Sequence, residues 1–162
     1  LAEKMSRLGD GTFIPLHAPA RVSSTLVRDE LMKEESVQDA VKLMNRIDVA
    51  LVGIGYPNEH SAIKATGYYK ENEIESLISR KAAGELCMQF YDLEGRTEPY
   101  VSDNAVIGMD IQRLRKVPCS VGIAGGREKL AAIQGAINGK YINVLITDTE
   151  CARALLSDEE EE

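Results

Sequence analysis

The sequence predicts an α/β fold, a parallel or mostly parallel sheet with helices on both faces. Three observations carry that reading. Val49-Ala50-Leu51-Val52-Gly53-Ile54 is a continuous apolar run without polar alternation, the pattern of a strand buried on both faces and so of a parallel sheet. From Cys119 to Ile146 the pattern runs strand, helix, strand, a βαβ unit whose crossover should be right-handed. Between these, apolar residues recur at helical spacing, as in Val37, Ala40, Val41 and Met44.

The elements follow in order. Leu1, Met5 and Leu8 stand at helical spacing, so the chain, which lacks an initial Met, is expected to begin inside a helix and in mid-fold. Thr12 to Leu16 is predicted as a short strand, and Pro15 and Pro19 then keep His17 to Arg21 in a loop. Two amphipathic helices follow, Ser24 to Glu34 and a second opened by Ser36. After the 49–54 strand, Tyr56 to Tyr69 is polar and marked by Gly and Pro, which predicts a loop with at most a short helical turn. Asn72 and Glu75 form an N-cap pair for a helix striped by Ile74, Leu77 and Ile78, and Gly84 closes that connection. Leu86 to Tyr91 reads as one strand, and Asp92 to Arg96 as a turn toward an irregular or hairpin segment near Tyr100 to Asp103. Val106 and Ile107 are expected to pair briefly, before a helix from Asp110 to Lys116. The last part is a strand from Cys119 to Ala124, a Gly125-Gly126 turn, a helix from Arg127 to Asn138 and a strand from Ile142 to Ile146. A helix from Thr149 to Leu156 precedes a tail, Ser157 to Glu162, whose like charges predict disorder.

Composition narrows the function classes. The 162 residues include 44% hydrophobic residues, enough for one core, and a net charge of −7, which repels phosphate backbones and anionic lipid. The chain alone is therefore a poor nucleic-acid binder. No apolar run approaches the roughly 18 residues of a membrane span, and the first residues lack the shape of a signal peptide, so a cytoplasmic protein without a membrane partner is expected. Cys87, Cys119 and Cys151 are three in number and far apart, which indicates reduced thiols rather than disulfides or a metal knuckle.

Open parallel sheets bind ligands beyond the carboxyl ends of their strands. Three segments occupy such positions: Gly53-Ile54-Gly55, Gly125-Gly126 with Lys129, and Thr147-Asp148. At the second, paired glycines allow close backbone approach, the next helix presents free N–H groups, and Lys129 supplies a mobile cation, so a phosphate fits; a plain tight turn is the competing reading. Gly53 to Gly55 lacks the third Gly and the immediate helix of a dinucleotide fingerprint. Acid–base candidates are Glu85, Asp92 and His17, for which an edge-strand charge, an Asx turn and a surface or capping ring are the competing readings. No GxSxG element, no metal-ligand spacing and no cofactor motif occurs.

Five segments carry a family resemblance: Ile14-Pro15-Leu16-His17-Ala18-Pro19-Ala20; Asp48 to Gly55; Gly84-Glu85-Leu86-Cys87 with Phe90 to Gly95; Ala124-Gly125-Gly126-Arg127-Glu128-Lys129; and Val144-Leu145-Ile146-Thr147-Asp148. In order and spacing they resemble the sugar-binding domain of the SorC family of bacterial transcriptional regulators, over about Leu1 to Leu156. The resemblance implies a partial effector domain with a fold similar to sugar-phosphate isomerases and glucosamine-6-phosphate deaminases. It implies a phosphorylated sugar as effector, acting on oligomeric state or operator affinity in a homo-oligomer, dimer or tetramer. Lys129 looks like the family's phosphate-contacting lysine and Gly53, Ile54 and Gly55 like its crevice loop. Gly125 and Gly126 belong to the lysine's motif, while Glu85 and Asp92 lie on motifs near the sugar. The family's N-terminal helix-turn-helix domain, which contacts operator DNA, and its Gly- and Thr-rich phosphate loop are not among these residues. A non-catalytic regulator domain is therefore expected, with an isomerase- or deaminase-like enzyme as the alternative.

Overall fold

The computed structural model describes residues 1–58, 64, 66–103 and 105–157. Its sheet is built where apolar β-formers run together: β1 (Val49–Gly53), β4 (Cys119–Ile123) and β5 (Val144–Ile146) are parallel in the order β1-β4-β5. Leu51 stands opposite Val121, and Ile123 opposite Ile146. Among the described residues the strands are accompanied by α1 (Ala2–Leu8), α2 (Thr25–Leu31), α3 (Glu35–Met44), α4 (Glu71–Ser79), α5 (Leu130–Asn138) and α6 (Thr149–Ser157). Between β1 and β4 the chain forms an antiparallel hairpin, β2 (Gly84–Leu86) and β3 (Gln89–Tyr91), which docks on the end of β1 through a bridge between Gly55 and Glu85.

One face of the sheet closes over the main core. Ala50, Ile54, Ala132 and Ile133 of α5, Tyr141, Ile142 and Cys151 meet there with Leu86 and Tyr91 of the hairpin and Ile111 and Leu114. A second cluster, Tyr69, Ile74, Leu77, Phe90 and Tyr100, joins α4 to the hairpin. Arg21 ties this unit to the loop before α2: its guanidinium donates to the Tyr68 carbonyl and to Glu73, 4.0 Å above the Tyr69 ring.

The α/β class with a parallel sheet is as predicted, and so are β1, β4, β5 and the helical character of each long periodic segment. Several expectations need correction. Thr12 to Leu16 joins no strand ladder among the described residues. β1 is not buried on both faces: Ala50 is 5% exposed, but Val49 is 56% and Leu51 48% exposed, since the core packs on the Ala50 face and the opposite face, with Ile123 of the central strand, stays largely open. Leu86 to Tyr91 is not one strand, because Cys87 and Met88 adopt positive φ values of 53° and 62° and fold it into a hairpin. Neither residue type favours that region, so no turn signal marked it. The α4 cap falls earlier than Asn72: the Lys70 amide donates to Glu73 Oε2 at 2.8 Å, the reciprocal bond of a capping box. Residues 111–116 and 127–129 form 3₁₀ turns rather than α-helix. The three cysteines are free, Cys151 buried and the other two half-buried. Residues 158–162 of the expected tail, and part of the Tyr56 to Tyr69 loop, lie outside the described residues.

Candidate functional site

The carboxyl ends of β1 and β4 deliver Gly53 to Gly55 and Ala124 to Gly126 to the same edge of the sheet. Lys129, in the 3₁₀ turn that leads into α5, turns back across this edge and donates from Nζ to the Ile54 carbonyl at 3.0 Å. The two glycine loops are thus joined through one ammonium. The hairpin adds the third component: Gly55 and Glu85 exchange backbone hydrogen bonds of 3.0 and 2.9 Å. The Glu85 carboxylate folds over Gly55 so closely that a Cβ there would overlap it. A side chain at position 55 would have to displace the Glu85 carboxylate. The same carboxylate accepts the Met88 amide at 2.8 Å, which holds the left-handed Cys87-Met88 turn.

Burial drives the Glu85 pKa above the usual carboxylate range, partly offset by the Met88 amide and by the positive charge of Lys129. Burial, and then the Glu85 charge, push the Cys87 thiol up to about 11. That leaves Cys87 a poor nucleophile at neutral pH. Because the folded state holds the Glu85 proton more tightly than the unfolded chain, stability falls as pH rises through the interval between the ordinary and the raised pKa. Urea midpoints of the native chain should therefore drop relative to Glu85→Gln as pH increases from about 4.5. A constant difference across that interval contradicts a buried, ionising Glu85.

At β5 the site has a clamp. Asp148 accepts the Gly126 amide at 2.7 Å and the Cys151 amide at 2.8 Å, capping α6 and tying β5 to the Gly125-Gly126 turn. Those two amides, the Cys151 one first, hold its carboxyl below the ordinary range. Gly126, at φ 101°, adopts a conformation that favours glycine, with the Glu128 carboxylate packed against it. The amide that sequence reasoning offers to a phosphate is thus already engaged by a carboxylate. Beside Asp148, the Thr147 hydroxyl is buried without a partner among the described residues.

The structure therefore brings Gly53, Ile54, Gly55, Glu85 and Lys129 together, with Gly125 and Gly126 one turn away. Asp92 is engaged elsewhere. Its carboxylate accepts the Arg96 amide at 2.8 Å and pairs with the Arg96 guanidinium at 2.7 Å, which is the Asx-turn role. His17 is exposed in its loop. Sequence reasoning missed the Met88 amide and the Ile54 carbonyl as anchors, since backbone groups leave no residue-type signal. Among the described residues there is no cluster of three or more His, Cys, Asp or Glu side chains placed to hold a metal ion.

Glycine loops converging with a half-buried carboxylate and a reaching lysine at the carboxyl ends of parallel strands lie where open α/β sheets commonly take ligands. Comparisons with known proteins identify the family. The Sugar-bind family model, described as "Putative sugar-binding domain", matches residues 1–157, and the chain belongs to that family. It is 34% identical to the sorbitol operon regulator of Klebsiella pneumoniae over 138 residues, covering 85% of this chain and 44% of the regulator. It is 31% identical to the deoxyribonucleoside regulator of Bacillus subtilis over 146 residues, 90% of this chain and 46% of that protein. The chain thus spans less than half the length of these relatives. The crystal structure of the full-length K. pneumoniae regulator SorC superposes with a TM-score of 0.78 at 34% identity, over 85% of this chain and 45% of that one. A sugar-binding domain of a transcriptional repressor from Vibrio fischeri superposes at 0.87 with 28% identity, over 98% of this chain and 63% of that one. The chain thus matches part of the sugar-binding domain carried by SorC-type transcriptional regulators, as the five segments imply.

Proposed function

We propose that this chain senses a phosphorylated sugar for a cytoplasmic bacterial transcriptional regulator, acts without catalysis, and modulates operator binding by a helix-turn-helix domain outside residues 1–156. The observation that supports this most is the bond from Lys129 to the Ile54 carbonyl, which stations a cation between the two glycine loops. The phosphate is held by the Lys129 ammonium over the Gly125-Gly126 turn, away from the Glu85 carboxylate packed on Gly55, and because Asp148 engages the Gly126 amide the lysine rather than that amide supplies the contact. Glu85 would repel a phosphate and accept hydroxyl hydrogen bonds, so the sugar end of the ligand faces Glu85. Asp92 acts as scaffold for its turn. The effector shifts the equilibrium between pairing states of a homo-oligomer, dimer or tetramer, by differential affinity, and so resets the spacing of the DNA-reading units. No helix among the described residues is long and apolar enough to cross a membrane.

The raised Glu85 pKa beside Lys129 is also what an acid–base catalyst of the isomerase or deaminase class would use, which keeps an enzyme as the second reading. One experiment separates the two. The complete regulator and this chain are titrated calorimetrically with a panel of sugar phosphates and the matching free sugars, and each mixture is assayed for conversion. Binding of a phosphorylated sugar without turnover, and an operator gel-shift that only the complete protein produces and the sugar alters, is the expected result. Turnover above the spontaneous rate, or a preference for free sugars, overturns the reading.

A further inference from the structure

The β2-β3 hairpin closes through a two-residue loop, since Leu86 pairs with Gln89. Cys87 and Met88 between them both have positive φ, 53° and 62°, the arrangement of a type I′ turn, which asparagine and glycine ordinarily supply. Cysteine and methionine each carry the steric penalty of the left-handed region there. One bond from outside the ladder opposes that penalty: the Met88 amide donates to Glu85 Oε2 at 2.8 Å. A charge-assisted hydrogen bond and the strain of two such residues are of the same order, so a single carboxylate holds the turn near balance.

That carboxylate belongs to the candidate site, where it lies on Gly55 and in the field of Lys129. The other side of the turn belongs to the second core cluster. Met88 packs against that cluster, its carbonyl accepts the Tyr69 hydroxyl at 3.2 Å, and Tyr69 meets Phe90 edge to face with ring centroids 5.4 Å apart. Arg21 lies over the Tyr69 ring, donates to the Tyr68 carbonyl and bridges to Val106 through its backbone. The turn also has space to move into. Met88 borders a cavity of about 160 Å³ with Tyr100 and Ile111, and Cys87 and Met88 border another of about 350 Å³ with Met44 and Met109.

We infer that the Glu85 carboxylate is a latch between the effector site and the second core cluster. Sugar hydroxyls that take up its lone pairs draw it from the Met88 amide, the Cys87-Met88 turn leaves the left-handed region, and Met88 shifts into the neighbouring space. Tyr69 follows, and through Arg21 so do residues 20–22 and 105–107. The latch rests on the effector reading, in which the sugar end of the ligand faces Glu85. It adds to that reading the element with two arrangements that differential affinity needs. A phosphate held at Lys129 alone leaves the latch closed, so the sugar end carries the signal.

Amide exchange of the complete regulator, read by mass spectrometry, tests the latch first without ligand. Glu85→Ala removes the acceptor and should speed exchange roughly tenfold at 86–90, 68–70 and 20–22 while leaving α5 unchanged. Adding Cys87→Asn with Met88→Gly, the pair that adopts this turn unaided, should restore the rate at 86–90. Glu85→Gln keeps an acceptor oxygen for the Met88 amide and should match the native protein. Uniform acceleration across the domain, or acceleration that the locked pair does not reverse, overturns the latch and leaves Glu85 a structural support. The locked pair in the native background carries the second arm, which stands even where Glu85→Ala does not fold. Each hexose and pentose phosphate of the calorimetric panel is added, and inorganic phosphate separately. A sugar phosphate should accelerate the same three segments in the native protein and still bind the locked pair without accelerating them; inorganic phosphate should accelerate none. Binding to the native protein without acceleration, or acceleration that persists in the locked pair, fails the latch and leaves the effector reading standing. Absence of binding by every sugar phosphate fails the effector reading, and the latch with it.

Discussion

Replacing Tyr141 with Ala should cost about 3–5 kcal/mol of folding free energy, read as a fall in the urea midpoint at constant slope. Tyr141 is completely buried, its ring 5.6 Å from that of Tyr91 and tilted against it, with the Arg115 guanidinium 4.8 Å from its centre. Its hydroxyl donates to the Gly95 carbonyl at 2.6 Å and accepts from Gln112 and Arg115, each at 3.3 Å. One side chain thus joins the turn after β3, the 111–116 segment and the connection from α5 to β5. The truncation opens an aromatic-sized cavity and takes the hydroxyl donor from the Gly95 carbonyl, two effects that add, while Gln112 and Arg115 keep their bonds to Thr97 and Gly139. With total stability of about 5–15 kcal/mol typical of single domains, the variant should be marginal at 37 °C. Tyr141→Phe keeps the ring and loses only the hydroxyl contacts, so it should cost about 1–2 kcal/mol. A Tyr141→Ala loss below that of Tyr141→Phe would mean that the ring is not packed as described.

Removing the Lys129 ammonium should weaken binding of the sugar phosphate by about 10- to 150-fold, the equivalent of roughly 1.5–3 kcal/mol for a charge-assisted hydrogen bond. The effect should be confined to affinity. Lys129 donates to a carbonyl near the open edge of the sheet, and its side chain spans the surface between two loops that are each held by other bonds. Calorimetry on Lys129→Ala in the complete regulator measures it. Asp92→Ala provides the contrast: it removes two bonds to Arg96 inside a single turn, so stability should fall while affinity stays within about twofold. Unchanged affinity in Lys129→Ala, or a large affinity loss in Asp92→Ala, would exchange the roles given to these two residues.

Local pattern was sufficient for the parallel strands, because runs such as Val49 to Gly53 and Cys119 to Ile123 state their conformation in neighbouring side chains. The same holds for the amphipathic helices and for the Gly125-Gly126 turn. Five short segments were also enough to indicate the family. Contacts between residues far apart in the chain were not legible. Lys129 reaches a carbonyl 75 residues away and Asp148 an amide 22 residues away, and each partner is a backbone group that any residue could present. Asp92 and Glu85 looked alike as isolated carboxylates. Packing separates them, since Glu85 is folded under the hairpin against Gly55 while Asp92 meets Arg96 four residues along the chain. The Cys87-Met88 turn was hidden because the Glu85 carboxylate and the strand pairing, rather than a glycine or asparagine, hold its positive φ values. Burial of β1 was overread for a related reason: an apolar run records that a strand is meant to be covered, whereas which face is covered depends on the elements that pack against it.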